Sequence, residues 1–217
     1  AVGNNRIFDV DQSTYALTDI TPGGAVITAD NWHIATLNDD TFFFQEGHAP
    51  LVWDDSAATM SLVSAHADYA GTVPEADICI AANGRLWVAR TDTNKAQVWW
   101  SDLLIGAAWT GGTSGFINIA QVWPSGNDDI TALAVHNNRL IIFGLNSYLV
   151  YGSQNPDGNL ADPNADLTLE DTNFQMGCIG KYATANTGKD LLFIDESGLR
   201  SFGRTIQEKS LPIGMLS

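Results

Sequence analysis

The sequence predicts an all-β fold, a β-propeller-like set of blades built from short antiparallel strands, and three observations carry that expectation. Short runs rich in Val, Ile, Leu, Phe and Trp alternate with turns of Gly, Asn, Asp and Ser. No window of a dozen residues shows a clean 3.6-residue period, so amphipathic helices are not indicated. One turn leading into a strand also recurs, as Asn4-Asn5-Arg6-Ile7, Asn83-Gly84-Arg85-Leu86 and Asn137-Asn138-Arg139-Leu140. Aligned on it, the chain repeats about every 50 residues, close to the spacing of four-stranded propeller blades.

The elements follow from that alignment. Residues 1–24 read as a partial blade, in which residues 4–18 supply a second and a third strand but no first, so the chain is expected to start in mid-blade as an excerpt of a larger propeller. Blade units are expected over 25–76, 77–129, 130–179 and 180–217. First strands are placed at Ala25–Ala29, Asp77–Ala82, Ile130–His136 and Gly180–Asn186. Second strands fall at Ile34–Leu37, Leu86–Arg90, Leu140–Gly144 and Leu191–Asp195, starting at intervals of 52, 54 and 51 residues. Third strands are placed at Thr41–Gln45, Gln97–Ser101, Tyr148–Ser153 and Leu199–Gly203. Between units lie three long loops, Asp54–Pro74, Leu103–Gly115 and Gln154–Asn173, and long loops on a rigid scaffold are where interactions concentrate. The tail Thr205–Ser217, with Pro212 and Gly214, does not read as a finished closing strand.

Composition bounds the function. The 217 residues carry 25 acidic and 10 basic side chains, a formal charge of −15, yet only 16% of residues are charged. An average soluble domain has about 25%. With 45% apolar residues, including 7 Trp, 9 Phe and 5 Tyr, the chain can bury a core without disulfides. The sign of the charge argues against gripping a polyanion, which takes clustered Lys and Arg. Acidity is uneven: residues 1–180 hold 21 acids against 5 bases, whereas 181–217 hold 4 against 5, so the last segment is expected to face a different neighbour. Cys79 and Cys178 stand far apart without a CxxC spacing and read as small buried residues, with a disulfide left open. No apolar run approaches the 18 residues of a membrane span, so none is expected.

Motifs of chemistry are sparse. Asp9-Val10-Asp11-Gln12-Ser13 starts like a calcium loop, but Thr14 and Ile20 occupy the positions that need Gly and Glu, so a hairpin turn is the better reading. The acids Asp157, Asp162, Asp166, Glu170 and Asp171 are irregularly spaced and read as a solvated loop in preference to a cation cage. His33, His48, His66 and His136 never form a ligand spacing, so they read as turn or surface residues, and a zinc site would depend on tertiary structure. There is no nucleophile elbow and no phosphate loop. The acid pairs Asp39-Asp40, Asp54-Asp55 and Asp128-Asp129 read as turn residues. Neither a catalytic residue nor a cofactor is expected. Trp87, Trp99 and Trp100 lie on strands, where core packing between blades is the first reading and alternation buries one of the adjacent pair while presenting the other to the opposite face, whereas Trp32, Trp53 and Trp123 stand near loops as candidates for sugar or protein contacts.

One constellation is more specific. Arg85-Leu86-Trp87-Val88-Ala89 is followed by Val98-Trp99-Trp100-Ser101-Asp102 and then Trp109. Asp129–Leu133, Arg139–Phe143, Ser147-Tyr148, Gly177-Cys178-Ile179-Gly180 and Asp190–Arg200, with Gly198, complete the order. Over about residues 77–205 this resembles the β-propeller of the tail nozzle, or tubular tail protein B, of short-tailed bacteriophages and prophages. The positions that carry the resemblance, among them Trp99, Ser101, Asp102, Trp109, Gly177, Gly180 and Gly198, are packing and turn positions, and none is catalytic. The resemblance implies a structural virion protein whose subunits form a hexameric ring beneath a portal and adaptor. Genome leaves through such a ring and fibres attach to it. Nothing here matches the family's other domains. A carbohydrate-binding or glycan-hydrolysing propeller module is the alternative, and a WD-type protein-binding propeller lacks its Gly-His and Trp-Asp signatures.

Overall fold

A computed structural model describes residues 2–3, 5–28, 31–124, 126–155, 157–158 and 160–210. The chain is all-β, and its strands form five antiparallel sheets, each built from strands consecutive in sequence. Sheet 1 holds β1 (Val2–Gly3), β2 (Arg6–Val10) and β3 (Leu17–Asp19). Sheet 2 holds β4 (His33–Leu37), β5 (Asp40–Phe44), β6 (Leu51–Asp54) and β7 (Thr59–Leu62). Sheet 3 holds β8 (Ala76–Ala82), β9 (Arg85–Thr91), β10 (Gln97–Trp100) and β11 (Gly115–Asn118). Sheet 4 holds β12 (Ile130–His136), β13 (Arg139–Gly144), β14 (Ser147–Ser153) and β15 (Leu167–Phe174). Sheet 5 holds β16 (Thr184–Asn186), β17 (Leu191–Asp195) and β18 (Gly198–Ser201), and runs into α2 (Phe202–Ser210). A single helical turn, α1 (Pro163–Asp166), precedes β15 and is capped by Asp162, whose side chain accepts from Asn164 N.

The recurring Asn signature is the hairpin that joins a first strand to a second. Asn83 and Gly84 have φ of 52° and 69°, and Asn137 and Asn138 have 48° and 62°, between the facing pairs Ala82↔Arg85 and His136↔Arg139. Two successive left-handed residues twist a two-residue hairpin the way the flanking strands twist, and Asn and Gly tolerate them best. In sheet 2 the same place is taken by Asn38-Asp39, with Asn38 at 55° and Leu37 facing Asp40.

Neighbouring sheets pack face to face through the alternating side chains of their strands. Ile7 packs with Trp32, Leu51 and Met60 between sheets 1 and 2, and Phe42, Phe44 and Val52 with Cys79, Leu86, Val88 and Trp109 between 2 and 3. Trp87, Ala89, Val98 and Trp100 meet Leu140, Ile142, Leu149 and Tyr151 between sheets 3 and 4. Ile141, Phe143, Tyr148 and Val150 meet Leu191, Phe193 and Phe202 between 4 and 5. The first strands lie side by side, β4 by β8, β8 by β12 and β12 by β16. The array curls about that row, because Lys181 Nζ donates to Asn31 O at 2.9 Å and Tyr182 Oη to Trp32 O at 2.8 Å, each across 150 residues. No apolar cluster among the described residues joins sheet 5 to sheet 1.

Several expected boundaries move. Ile34–Leu37 belongs to a first strand, not a second, because Asn38-Asp39 is the hairpin turn; residues 25–28 are not a strand, and Ala29 lies outside the described residues. Thr41–Gln45 accordingly becomes a second strand. The absent first strand of the partial blade is represented by β1, with Val2 facing Ile7. Two of the expected loops contain strands: Asp54–Pro74 holds β7, and Gln154–Asn173 holds α1 and most of β15. The first strand of the last unit is shorter than expected, starting at Thr184 and not at Gly180. Its third strand stops at Ser201, where Ser201 O accepts from Thr205 Oγ1 at 2.8 Å and the chain turns helical. Asn4, Pro156 and the tail from residue 211, including Pro212 and Gly214, lie outside the described residues.

Candidate functional site

The Ser101-Asp102 turn, where the resemblance is densest, is a knot of hydrogen bonds. Asp102 Oδ1 accepts from Leu103 N at 2.8 Å, Thr113 N at 2.9 Å and Thr113 Oγ1 at 2.9 Å. Those bonds and the nearby Arg85 guanidinium hold its carboxyl below the usual range against a burial effect that, largest of the causes, would raise it. Leu86 N donates to Ser101 Oγ at 3.1 Å, and Arg85 Nη1 donates to Ser101 O at 2.9 Å. Arg85 is fully buried at 0% exposure. It also reaches Thr113 Oγ1 and Ala161 O, so a side chain of sheet 3 grips the segment that leads into β15 of sheet 4. A fixed planar fork suits this tie better than the flexible ammonium of Lys.

The tryptophans of this segment divide by face. Trp100 is buried against Trp87 and donates Nε1–H to Thr113 O at 2.9 Å, whereas Trp99 points the other way and stacks on Phe116 at 4.4 Å. Trp109 packs edge-on against Phe44 of sheet 2. Gly177 needs to be glycine, because a Cβ there would sit 2.2 Å from Leu145 O and 2.3 Å from Gly144 O. Gly198 starts β18 at φ 132°, in the region that favours glycine. Gly180 has open space around it, and its carbonyl accepts from Ala183 N at 2.9 Å. Trp99 and Trp109 both line an open groove beside Val73 and Glu75, and none of the other five motif positions lines it with them.

A second constellation lies beside the row of first strands. Lys181 Nζ donates to Asp77 Oδ1 at 2.6 Å and to Asp77 O at 3.2 Å. Arg90 Nε lies 3.3 Å from Glu46 Oε2 and 3.9 Å from Asp77 Oδ2, and Lys95 pairs with Glu46. His33 packs edge-on against Tyr182 and its Nδ1 accepts from Cys79 N at 2.9 Å. Burial, and then the charge of Lys181, push the His33 imidazole down to about 4. Each charge here has an opposite partner, so the cluster reads as a strap between sheets 2, 3 and 5.

An open groove of about 510 Å³ separates sheets 1 and 2, lined by Asp9, Gln12, Thr41, Phe43 and Trp53 among others. Of the three loop tryptophans, Trp53, half-buried, and Trp32, buried, both line this groove, and Trp123 is a core residue. The other expectations resolve locally. Asp11 Oδ1 caps its own turn, accepting from Ser13 and Thr14. Asp128 accepts from Leu145 N, Asn146 N and Ser147 Oγ, tying a turn to the start of β14. Cys79 and Cys178 are free thiols buried in different clusters, and burial raises both. His136 is buried against Phe202 and is not a surface residue. The acids of 157–171 form no ligand group among the described residues; the group that does gather is Asp40, Asp54 and His66, whose ligand atoms lie within 4.8 Å of one another. Sequence reading missed it because its members sit 14 and 12 residues apart on different elements.

No family model matches the chain. No curated protein matches it. Among solved structures it is similar to the crystal structure of the computationally designed Ika4 protein, with 14% identity and a TM-score of 0.44, covering 78% of this chain and 88% of that one. No helix among the described residues is long and apolar enough to cross a membrane.

Proposed function

We propose that this chain is a structural blade segment of a phage tail nozzle, working as part of a ring-shaped, hexameric conduit for genome ejection and as a platform for fibres. Its partners in that role are further copies of itself, a portal or adaptor protein and tail fibres, and its place is the virion tail. The observation that carries the reading is the outer face of sheet 5. In sheet 4, Ile141, Phe143 and Tyr148 pack forward onto sheet 5. Register places Leu192, Ile194 and Leu199 at the equivalent positions of sheet 5, with Ile194 opposite Leu199 as Phe143 is opposite Tyr148. Leu199 is 69% exposed. A blade face with the packing code of its neighbours and, among the described residues, no sheet upon it suits docking of a sheet from a second copy. A charge of −15 suits a wall past which DNA moves without being held.

Electron microscopy and light scattering of the purified chain test this. Rings of six copies that fall apart in Leu199→Asp support the nozzle reading; a monomer at all concentrations, unchanged by that substitution, overturns it. A sugar-binding module is the second reading, favoured by Trp53 and Phe43 beside Asp9 and Gln12 in the groove between sheets 1 and 2. Glycan-array signal lost in Trp53→Ala would establish it.

A further inference from the structure

Asp40 opens β5, Asp54 closes β6, and the two face each other directly across the strand pair. Like charges in that relation are destabilising unless something sits between them. After β7 the chain makes a short 3-10 turn, Val63–Ala65, and returns His66 to this end of the sheet. The His66 side chain is only 8% exposed, and its Nε2 lies 3.4 Å from Asp40 Oδ2 and 3.9 Å from Asp54 Oδ2. Both separations exceed the roughly 2.7–3.2 Å of an N–H···O hydrogen bond. The shorter falls within, and the longer lies a few tenths of an ångström beyond, the roughly 3.3–3.6 Å edge of a tetrahedron of nitrogen and oxygen ligands about 2.0–2.2 Å from a metal.

We infer that Asp40, Asp54 and His66 form a binding site for a divalent transition cation of the Zn²⁺ type, with water completing its coordination. One imidazole and two carboxylates make a mixed N,O ligand set, which suits such ions better than the all-oxygen cages of calcium. The carboxylates of Asp39 and Asp68 lie close enough to act on Asp40 and add to the negative potential of the site. Asp54 is prepared as a ligand: its Oδ1 accepts from Ser56 Oγ at 2.7 Å and Ala57 N at 2.9 Å, leaving Oδ2 toward His66.

The second ring nitrogen sets the demand that binding makes. Nδ1 accepts from Asp68 N at 3.2 Å, which fixes the ring and places the proton of the neutral imidazole on Nε2. Loading a cation on Nε2 moves that proton to Nδ1, so this contact opens. The ion would pin the 63–70 segment, which also holds sheet 3, since Trp109 N donates to Ala70 O at 2.8 Å.

Calorimetric titration of the full chain with Zn²⁺, and with Ca²⁺ for contrast, tests the site alongside nitrogen-detected NMR of the histidines. One equivalent of Zn²⁺ is expected to bind, at least about tenfold more tightly than Ca²⁺, with His66 switching to the Nδ1–H tautomer and the midpoint of thermal unfolding rising with Zn²⁺ concentration. His66→Gln and the separate Asp40→Asn should each weaken binding by about tenfold or more while the circular dichroism spectrum stays the same. No Zn²⁺ heat, a His66 ring that keeps its Nε2–H tautomer as Zn²⁺ is added, or binding by both variants equal to that of the native chain would overturn the assignment.

Discussion

The seam between sheets 3 and 4 and the outer face of sheet 5 use the same strand positions and end in opposite environments. On the seam, Trp87 and Ala89 of the second strand face a neighbouring sheet and are fully buried. On sheet 5, Leu192 and Ile194 occupy those positions and Ile194 is exposed, as is Leu199 beside it. Side-chain alternation therefore sets which residues point forward from a blade, and the neighbour alone decides whether they are core. An apolar side chain at a forward position marks a seam whether or not the seam is filled.

That contrast breaks most visibly at its buried end. Trp87→Ala removes one of the largest side chains of the seam, and a loss of about 3–5 kcal/mol in unfolding free energy is expected from denaturant titration. A loss under about 1 kcal/mol would mean that the seam tolerates the gap and that the two faces are alike. His33, on the first strand of sheet 2, gives an intermediate effect that depends on pH. Its folded value lies near 4 and that of an unfolded histidine near 6.5, so the unfolded chain takes up the proton first. This contribution is whole above pH 6.5 and is lost as pH falls toward 4, on the order of 2 kcal/mol. His33→Asn, whose amide oxygen can keep the Cys79 bond, should lose less stability between pH 7 and 4.5 than the native chain; parallel pH slopes would remove the argument. At the exposed end, Leu199→Ser should change the unfolding free energy of the monomer by less than about 1 kcal/mol, while reducing association. A larger stability loss would show that the outer face is already covered within one chain.

Much of the fold was legible because hairpin chemistry is local. Asn-Gly and Asn-Asn followed by Arg mark the first turns of sheets 3 and 4, and so the repeat. Sheet 2 escaped that reading because its turn is Asn38-Asp39 followed by Asp40, which lacks the Arg. The strand-like run Ile34–Leu37 therefore reads as a second strand when it is part of a first. The Ser101-Asp102 turn was visible as a motif, but its link to Arg85 and Ala161 was not, since a contact across 76 residues leaves no trace in spacing. The group of Asp40, Asp54 and His66 was hidden for the same reason. Two strands and a returning loop bring it together, and each acid alone has the look of an ordinary turn residue. Trp32 and Trp123 sit beside loops in sequence, yet the sheets fold over them.

The bonds from Lys181 and Tyr182 to Asn31 and Trp32 bear on how the molecule comes apart. A row of sheets that touch only their neighbours can fray one unit at a time from either end. A fastening between residues 150 apart in sequence makes loss of the fifth sheet felt at the second. Closing so long a loop costs little more than closing a short one, because the entropy grows only with the logarithm of length. The span of the fastening is therefore no obstacle to it, and cutting it should let amide exchange in sheets 2 and 5 become less coupled than in the intact chain.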